Sequence, residues 1–363
     1  MSSIQQHVQN LLDHLVAAGK ERGIQVTAYH EGKLIVDAWA GIADVNTGVF
    51  VTPDTLFPVF SVTKGLVATV VHRLVERGLL TYETCIAAVW PEFGVKGKEG
   101  ITVGHVLRHT AGITKLPRGT TFAEALDWEG MCRRIAALAP EWDPGMRCAY
   151  HGLTYGWILG EVMRRVSGLS FNQLVQEEIC APLGIDGMFV SLPSDKDELV
   201  AWLEAPDVEV PVDDGTPQVV PFALQPLHTW MNRLEARRAC LPAANGIMNA
   251  RSLARHYAAL LPGGVNGVEL LPAARINEAA AFAQPARGVD GHPHGWGLGY
   301  LLGEPGSVMG EVPTTFGHGG HGGAMGFADR QRRLAVGLTR NLFLAEDPAH
   351  EICDALRRMV PAN

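Results

Sequence analysis

Basic charge is scarce in this chain. Lys and Arg number 30 against 38 Asp and Glu, a formal net charge of -8 over 363 residues. No electropositive surface is expected to gather phosphates, which excludes nucleic acid as an expected partner. Long apolar runs are missing too. Hydrophobic residues make up 47% of the chain, yet they are interrupted well before the ~20 in a row that a membrane-spanning helix needs. The opening Met1-Ser2-Ser3-Ile4-Gln5-Gln6-His7 lacks the basic start and apolar block of a secretory leader. Cysteine is sparse: Cys85, Cys132, Cys148, Cys180, Cys240 and Cys353 are scattered with no Cys-x-x-Cys pair, which argues for reduced thiols over disulfides or a zinc site. These absences predict a cytoplasmic protein without membrane contact. Two catalytic signatures are also absent. No Gly-x-Ser-x-Gly elbow and no P-loop occur, and Gly317–Gly322 meets the dinucleotide-binding spacing only formally, since it precedes a strand pattern rather than a helix.

The remaining sequence is an ordinary globular balance, long enough for a sizeable core. Ile4, Val8, Leu11, Leu12, Leu15 and Val16 recur at helical spacing, so a helix over residues 4–18 opens the chain. Ile24–His30 and Lys33–Trp39 read as strands around the turn Glu31-Gly32. The C-terminal end mirrors this, with strands Gly323–Asp329 and Leu334–Asn341 and a closing helix His350–Met359. Helical spacing dominates between them: Thr63–Arg77, Val103–Arg108, Phe122–Ala139, Leu153–Ser167, Phe171–Cys180 and Arg251–Leu261. The acidic, Pro-rich stretch 192–225 reads as a surface excursion. The expected architecture is α/β (α+β): an antiparallel sheet of adjacent N- and C-terminal strands flanked by helices, plus a mostly helical lobe. In residues, one unit spans 1–363, its sheet lobe from 1–60 and 245–363 and its helical lobe from 61–244. Catalytic groups belong in the cleft between them.

Three elements carry chemistry. Ser61-Val62-Thr63-Lys64 stands where an apolar approach turns into a helix. Free N–H groups at such a terminus favour negative charge, and Lys64 lies one turn on, on the same face. A lysine amine accepts a serine proton once burial lowers its pKa from roughly 10.4. Taken alone, the pattern equally describes a helix-capping serine and a solvated lysine. Tyr150, delivered by the Pro144-Gly145 turn just before the helix at Leu153, is the second candidate: a general base whose phenol a nearby ammonium lowers, or else a half-buried aromatic. The third is Thr315–Asp329, in which His318-Gly319-Gly320-His321-Gly322-Gly323 lets backbone approach a ligand closely. It suits an oxyanion hole; a bulged strand edge is the bland alternative, and a metal site using His318 and His321 with His292 and His294 is a third.

In this order and spacing the three elements resemble the class C β-lactamase and penicillin-binding-protein-like serine hydrolases, closest to family VIII carboxylesterases. Leu107–Ile113, Pro182-Leu183-Gly184, Ala243-Ala244-Asn245-Gly246 and Trp296-Gly297-Leu298-Gly299 add to the resemblance. It implies a β-lactamase/transpeptidase-like fold, with Ser61 as nucleophile, Lys64 as proton acceptor and Tyr150 as general base or acid. His318-Gly319-Gly320 falls on the family's Lys-Thr-Gly or His-x-Gly triplet, and the second oxyanion amide falls on His321, opposite that of Ser61. Two departures favour uncharged esters over lactams. Gly152 replaces the Asn of Tyr-x-Asn, and His318 replaces a lysine that meets a lactam carboxylate. Asp329-Arg330 in place of Asp-Pro touches only a turn.

The implied activity is carboxylester hydrolysis through an acyl-enzyme, with a small-molecule ester as partner and no cofactor. Acyl transfer to a small alcohol, feeble β-lactamase activity and an inactive binding protein on the same fold are the alternatives. Trp128, Trp142, Tyr155 and Trp296 are candidate pocket walls, each with core packing as its plainer role.

Overall fold

A computed structural model describes residues 3–205, 218–287, 293–343 and 348–362. The first hairpin forms as its turn residues dictate: Glu31 and Gly32 both take positive φ, 51° and 73°, the geometry that lets two residues reverse a twisted ribbon. It joins β1 (Gly23–His30) to β2 (Lys33–Asp44), which runs five residues further than the alternating pattern indicates. The other strands are β3 (Val49–Phe50), β4 (Phe57–Phe60), β5 (Met188–Val190), β6 (Gly246–Met248), β7 (Gln284–Arg287), β8 (Pro293–Trp296), β9 (Leu301–Leu302), β10 (Thr315–Gly319), β11 (Met325–Asp329) and β12 (Leu334–Arg340). Nine form one antiparallel sheet in the order β3-β2-β1-β12-β11-β10-β9-β8-β7. The terminal strands are therefore neighbours, with Val26 opposite Leu338.

Six helices in the described residues reach nine residues or more: α1 (Ser3–Ala17), α2 (Thr63–Glu76), α3 (Trp128–Ala136), α4 (Thr154–Ser167), α5 (Ala250–Ala258) and α6 (Ala349–Met359). Helices α1 and α6 cover one face of the sheet, burying Val8, Leu12, Ile352 and Leu356 against Val26, Val336 and Leu338. Helix α5 lies on the opposite face, where Leu253 and Tyr257 join the larger core built around α2 and α4. Each fully buried aliphatic side chain in these layers stabilises the fold by roughly 1.5–3 kcal/mol.

Several expectations change in detail. The helix read over Phe122–Ala139 breaks at Asp127, whose carboxylate accepts the Gly130 N–H and so caps α3 instead of continuing a helix. Phe171–Cys180 is a short α-helix, Phe171–Val175, that widens into a π-turn over Gln176–Cys180. A small second sheet, β4-β6-β5, carries no alternation long enough to be read from sequence. The stretch 192–225 is not merely superficial. Ala201 and Leu203 are buried, Val200 and Glu204 bridge to Leu56 and Leu342, and Gln218 accepts a hydrogen bond from Leu116 N–H. Its residues 206–217 lie outside the described part.

Candidate active site

Strand β4 ends at Phe60 in a left-handed conformation, φ 48°, which non-glycine residues avoid unless their surroundings enforce it. Thr63 enforces it here, donating its hydroxyl hydrogen to the Phe60 carbonyl and accepting the Gly246 N–H of β6. The chain turns sharply and Ser61 emerges just ahead of α2. The capping alternative fails, because Val62 is the N-cap residue and no side chain caps the helix. The solvated-lysine alternative fails too, because Lys64 is completely buried. Its Nζ lies 3.1 Å from Ser61 Oγ and donates to the Ala243 carbonyl at 2.8 Å. Desolvation holds the amine well below its ordinary value of 10.5.

Tyr150 meets the same serine. Its hydroxyl faces Ser61 closely enough to interact with it, and Lys64 Nζ sits 4.8 Å from its ring centre. The expected lowering of the phenol by an ammonium is reversed. Desolvation pushes Tyr150 above its ordinary value, and burial removes the very ammonium that was to lower it. The Trp296 ring stacks on Tyr150 at 5.8 Å, and the His318 ring lies 6.3 Å away.

His318 is the next-to-last residue of β10, and its Nδ1 donates to the Gly319 carbonyl at 2.6 Å. The loop that follows packs against the serine turn. A Cβ on Gly320 would fall 2.1 Å from the Val59 carbonyl oxygen, so only glycine fits there. His321 stands at the rim, its ring edge-on to Phe60 and Phe343 at 5.6 and 5.3 Å. Desolvation keeps its imidazole below the ordinary histidine value.

These residues line a cavity of about 350 Å³ that opens over Ser61. Its remaining walls are Leu153, Val220, Leu227, Ala244 and Leu301, with Gly152, Gly319 and Gly320 supplying backbone. Among the described residues no Arg, Asp or Glu lines it. All seven of Ser61, Lys64, Tyr150, His318, Gly319, Gly320 and His321 thus converge, six on the cavity and Lys64 beneath it. Of the aromatic candidates only Trp296 lines the wall. Trp128 instead donates to Glu161 on α4, and Tyr155 is core. Gly152 has a local cause: a Cβ there would lie 2.3 Å from Val219 Cγ1, so an asparagine would require Val219 to move. Sequence alone gave no sign of Val219 and Val220, which sit in an aperiodic stretch. Nor did it single out Ala243, whose carbonyl holds the lysine.

The metal alternative finds no grouping of three His, Cys, Asp or Glu suited to an ion among the described residues. His292 lies outside them, and only the backbone of His294 is described.

A beta-lactamase family model matches residues 8–354, nearly the whole length. The chain belongs to the beta-lactamase family. Among relatives, it is 34% identical over 345 residues to the esterase/beta-lactamase LipL of Mycobacterium tuberculosis, covering 89% of this chain and 78% of that protein. It is 28% identical to the esterase EstB of Burkholderia gladioli, covering 88% and 85% of the two. Among solved structures, a family VIII carboxylesterase superposes with a TM-score of 0.89 at 32% identity, covering 98% of each chain. The α/β fold, with its antiparallel sheet and helical surround, is that of these β-lactamase-like proteins. No helix of the described residues is long and apolar enough to cross a membrane.

Proposed function

We propose that this family member is a serine carboxylesterase that works through an acyl-enzyme on Ser61. One observation carries the reading: Lys64 Nζ and the Tyr150 hydroxyl both reach Ser61, and the desolvation of the two moves their proton affinities apart. A lowered amine is neutral and accepts a proton; a raised phenol keeps one and can give it.

Ser61 Oγ attacks the ester carbonyl carbon while its proton passes to Lys64 Nζ. The oxyanion rests on the amides of Ser61 and His321; the packing of Gly320 against the Val59 carbonyl supports that placement. The C–O bond to the alcohol then breaks. Tyr150 protonates the departing oxygen and is recharged by the Lys64 ammonium. Water attacks the acyl carbon, gives a proton to Lys64, and releases the acid as Ser61 regains its own proton. His318, Gly319 and Gly320 line the channel for the substrate. No step calls for a cofactor.

The substrate class follows from the cavity. Leu153, Val220, Leu227 and Leu301 favour an apolar acyl or alcohol group, and among the described residues no fixed cation lines the cavity to face the anionic carboxylate of a lactam. The partner is a small uncharged ester, and a reducing, cytoplasmic setting fits six cysteines with no disulfide between them. Hydrolysis of p-nitrophenyl esters of varied acyl length, beside a chromogenic cephalosporin, tests this. We expect ester turnover far above cephalosporin turnover, none of either in Ser61→Ala, and a phosphonate adduct on Ser61 by mass spectrometry. Full activity in Ser61→Ala, or an adduct on another serine, overturns the reading. Free acid as the main product from an acyl thioester offered with an alcohol distinguishes hydrolysis from acyl transfer.

A further inference from the structure

The segment that carries Tyr150 is pinned on both sides by one residue. Ala149 N–H donates to the His109 carbonyl at 3.1 Å, and His151 N–H donates to His109 Nδ1 at 3.1 Å. The two amides that flank Tyr150 therefore share a single partner. His109 itself is fully buried and holds φ at 57°, a left-handed conformation that costs an ordinary residue energy and that asparagine tolerates better than most. Because Nδ1 accepts, the proton of the neutral ring sits on Nε2. Desolvation keeps the ring neutral.

The ring also forms the floor beneath the phenol. Its centre lies 5.0 Å from that of Tyr150 and 4.2 Å, edge-on, from that of Trp296. A second tie supports the same segment. His151 Nδ1–H donates to the Ala149 carbonyl at 2.7 Å, and its Nε2 accepts the Ile113 N–H at 3.1 Å. The loop after residue 109 and the loop around Tyr150 are thus joined through two imidazoles, and His109 touches both sides of the tyrosine and its ring.

From this geometry we infer that His109 is the positioning residue that sets the Tyr150 hydroxyl against Ser61. It touches no reacting atom. It fixes the backbone on either side of Tyr150 and closes the space into which the ring could tilt. The inference rests on the reading of Tyr150 as proton donor. A displacement of about 1 Å in such a group is enough to cost on the order of 100-fold in rate, so a clamp of this kind is worth its backbone strain.

The test compares His109→Gly, His109→Asn, Tyr150→Phe and the double variant His109→Gly/Tyr150→Phe, by steady-state hydrolysis of p-nitrophenyl acetate and by melting temperature. Glycine tolerates the left-handed turn and keeps the carbonyl, so it removes only the ring and Nδ1. We expect His109→Gly to lose roughly 10- to 100-fold in kcat while KM moves less than about threefold. Asparagine offers a side-chain acceptor and accepts positive φ, so His109→Asn should recover kcat to within about threefold of the parent. In the Tyr150→Phe background the glycine substitution should cost less than about twofold, since no proton donor is left to position.

Parental kcat in His109→Gly, or the same loss in both backgrounds, overturns the inference; the second result marks a residue that only holds the fold. A folded His109→Asn as impaired as His109→Gly overturns it as well. Where His109→Gly does not fold, His109→Asn decides by the same threefold criterion. Parental kcat in Tyr150→Phe is a separate result: it removes the proton-donor role of Tyr150 and leaves the acylation of Ser61 standing.

Discussion

Lys64 Nζ stands 3.1 Å from Ser61 Oγ and spends its other close contact on the carbonyl of Ala243, at 2.8 Å. Among the described residues no carboxylate shifts its proton affinity. A buried amine held by one neutral carbonyl gains little by charging, so it remains the neutral base that the serine requires. Tyr150 approaches the same oxygen and is driven the opposite way. The division of labour between them has measurable consequences.

The rate should follow the two shifts. Below the lowered value of Lys64 the amine is protonated and cannot accept from Ser61, so kcat/KM falls on the acid side, at a pH well under 10.5. The alkaline limb belongs to the Tyr150 phenol and should lie above 10. A profile of kcat/KM over pH for a neutral ester, repeated in Tyr150→Phe, checks both. The acid limb should survive in Tyr150→Phe, with kcat lower by about 100-fold or more; loss of the acid limb there would assign it to tyrosine.

Lys64 also links stability to pH. Its folded value is depressed, so between that value and 10.5 the unfolded chain binds more protons, and stability rises as pH increases through the window. Lys64→Met removes this linkage. Compared by urea unfolding, the parent should gain on Lys64→Met between pH 7 and pH 10. Lys64→Met should show no esterase activity at either pH. A constant stability difference between the two proteins would contradict a depressed lysine.

The space beside Gly152 is taken by Val219, and this predicts a compensating pair. Gly152→Asn places its Cβ 2.3 Å from Val219 Cγ1 and should destabilise by ~1–3 kcal/mol, as overpacked substitutions do. Val219→Ala in the same chain should recover most of that loss. Thermal melts of the two single variants and the double variant measure the coupling, and strict additivity would argue against the contact.

Gly320 is tighter still. Gly320→Ala sets a methyl 2.1 Å from the Val59 carbonyl oxygen, and backbone cannot yield as a side-chain tip can. The loop must shift away from the serine turn. Ester hydrolysis should fall by about 100-fold, in line with the loss of an oxyanion donor, with phosphonate labelling of Ser61 slowed in parallel. Unchanged labelling would separate this loop from the oxyanion site.

Much of this protein was written in short-range pattern. Helical and alternating spacing located α1, α2, the first hairpin and the last two strands, because amphipathic elements must repeat at 3.6 or 2 residues to bury one face. The Ser-x-x-Lys spacing placed Ser61 and Lys64 on one face for the same reason. Strands β3 to β9 escaped notice, each being four residues or fewer and too short for alternation to show. The break at Asp127 was legible only as a competing cap inside a helical pattern.

What the sequence by itself determined was which groups could do chemistry and which segments would be helix or strand, since both depend on neighbours along the chain. What only tertiary structure decided was their proton affinities and their reach. Lys64 could be solvated or buried until Ala243, 179 residues away, closed over it. Tyr150 could be base or acid until burial raised its phenol. Desolvation is a property of the surrounding volume, and that volume is filled by residues distant in the chain.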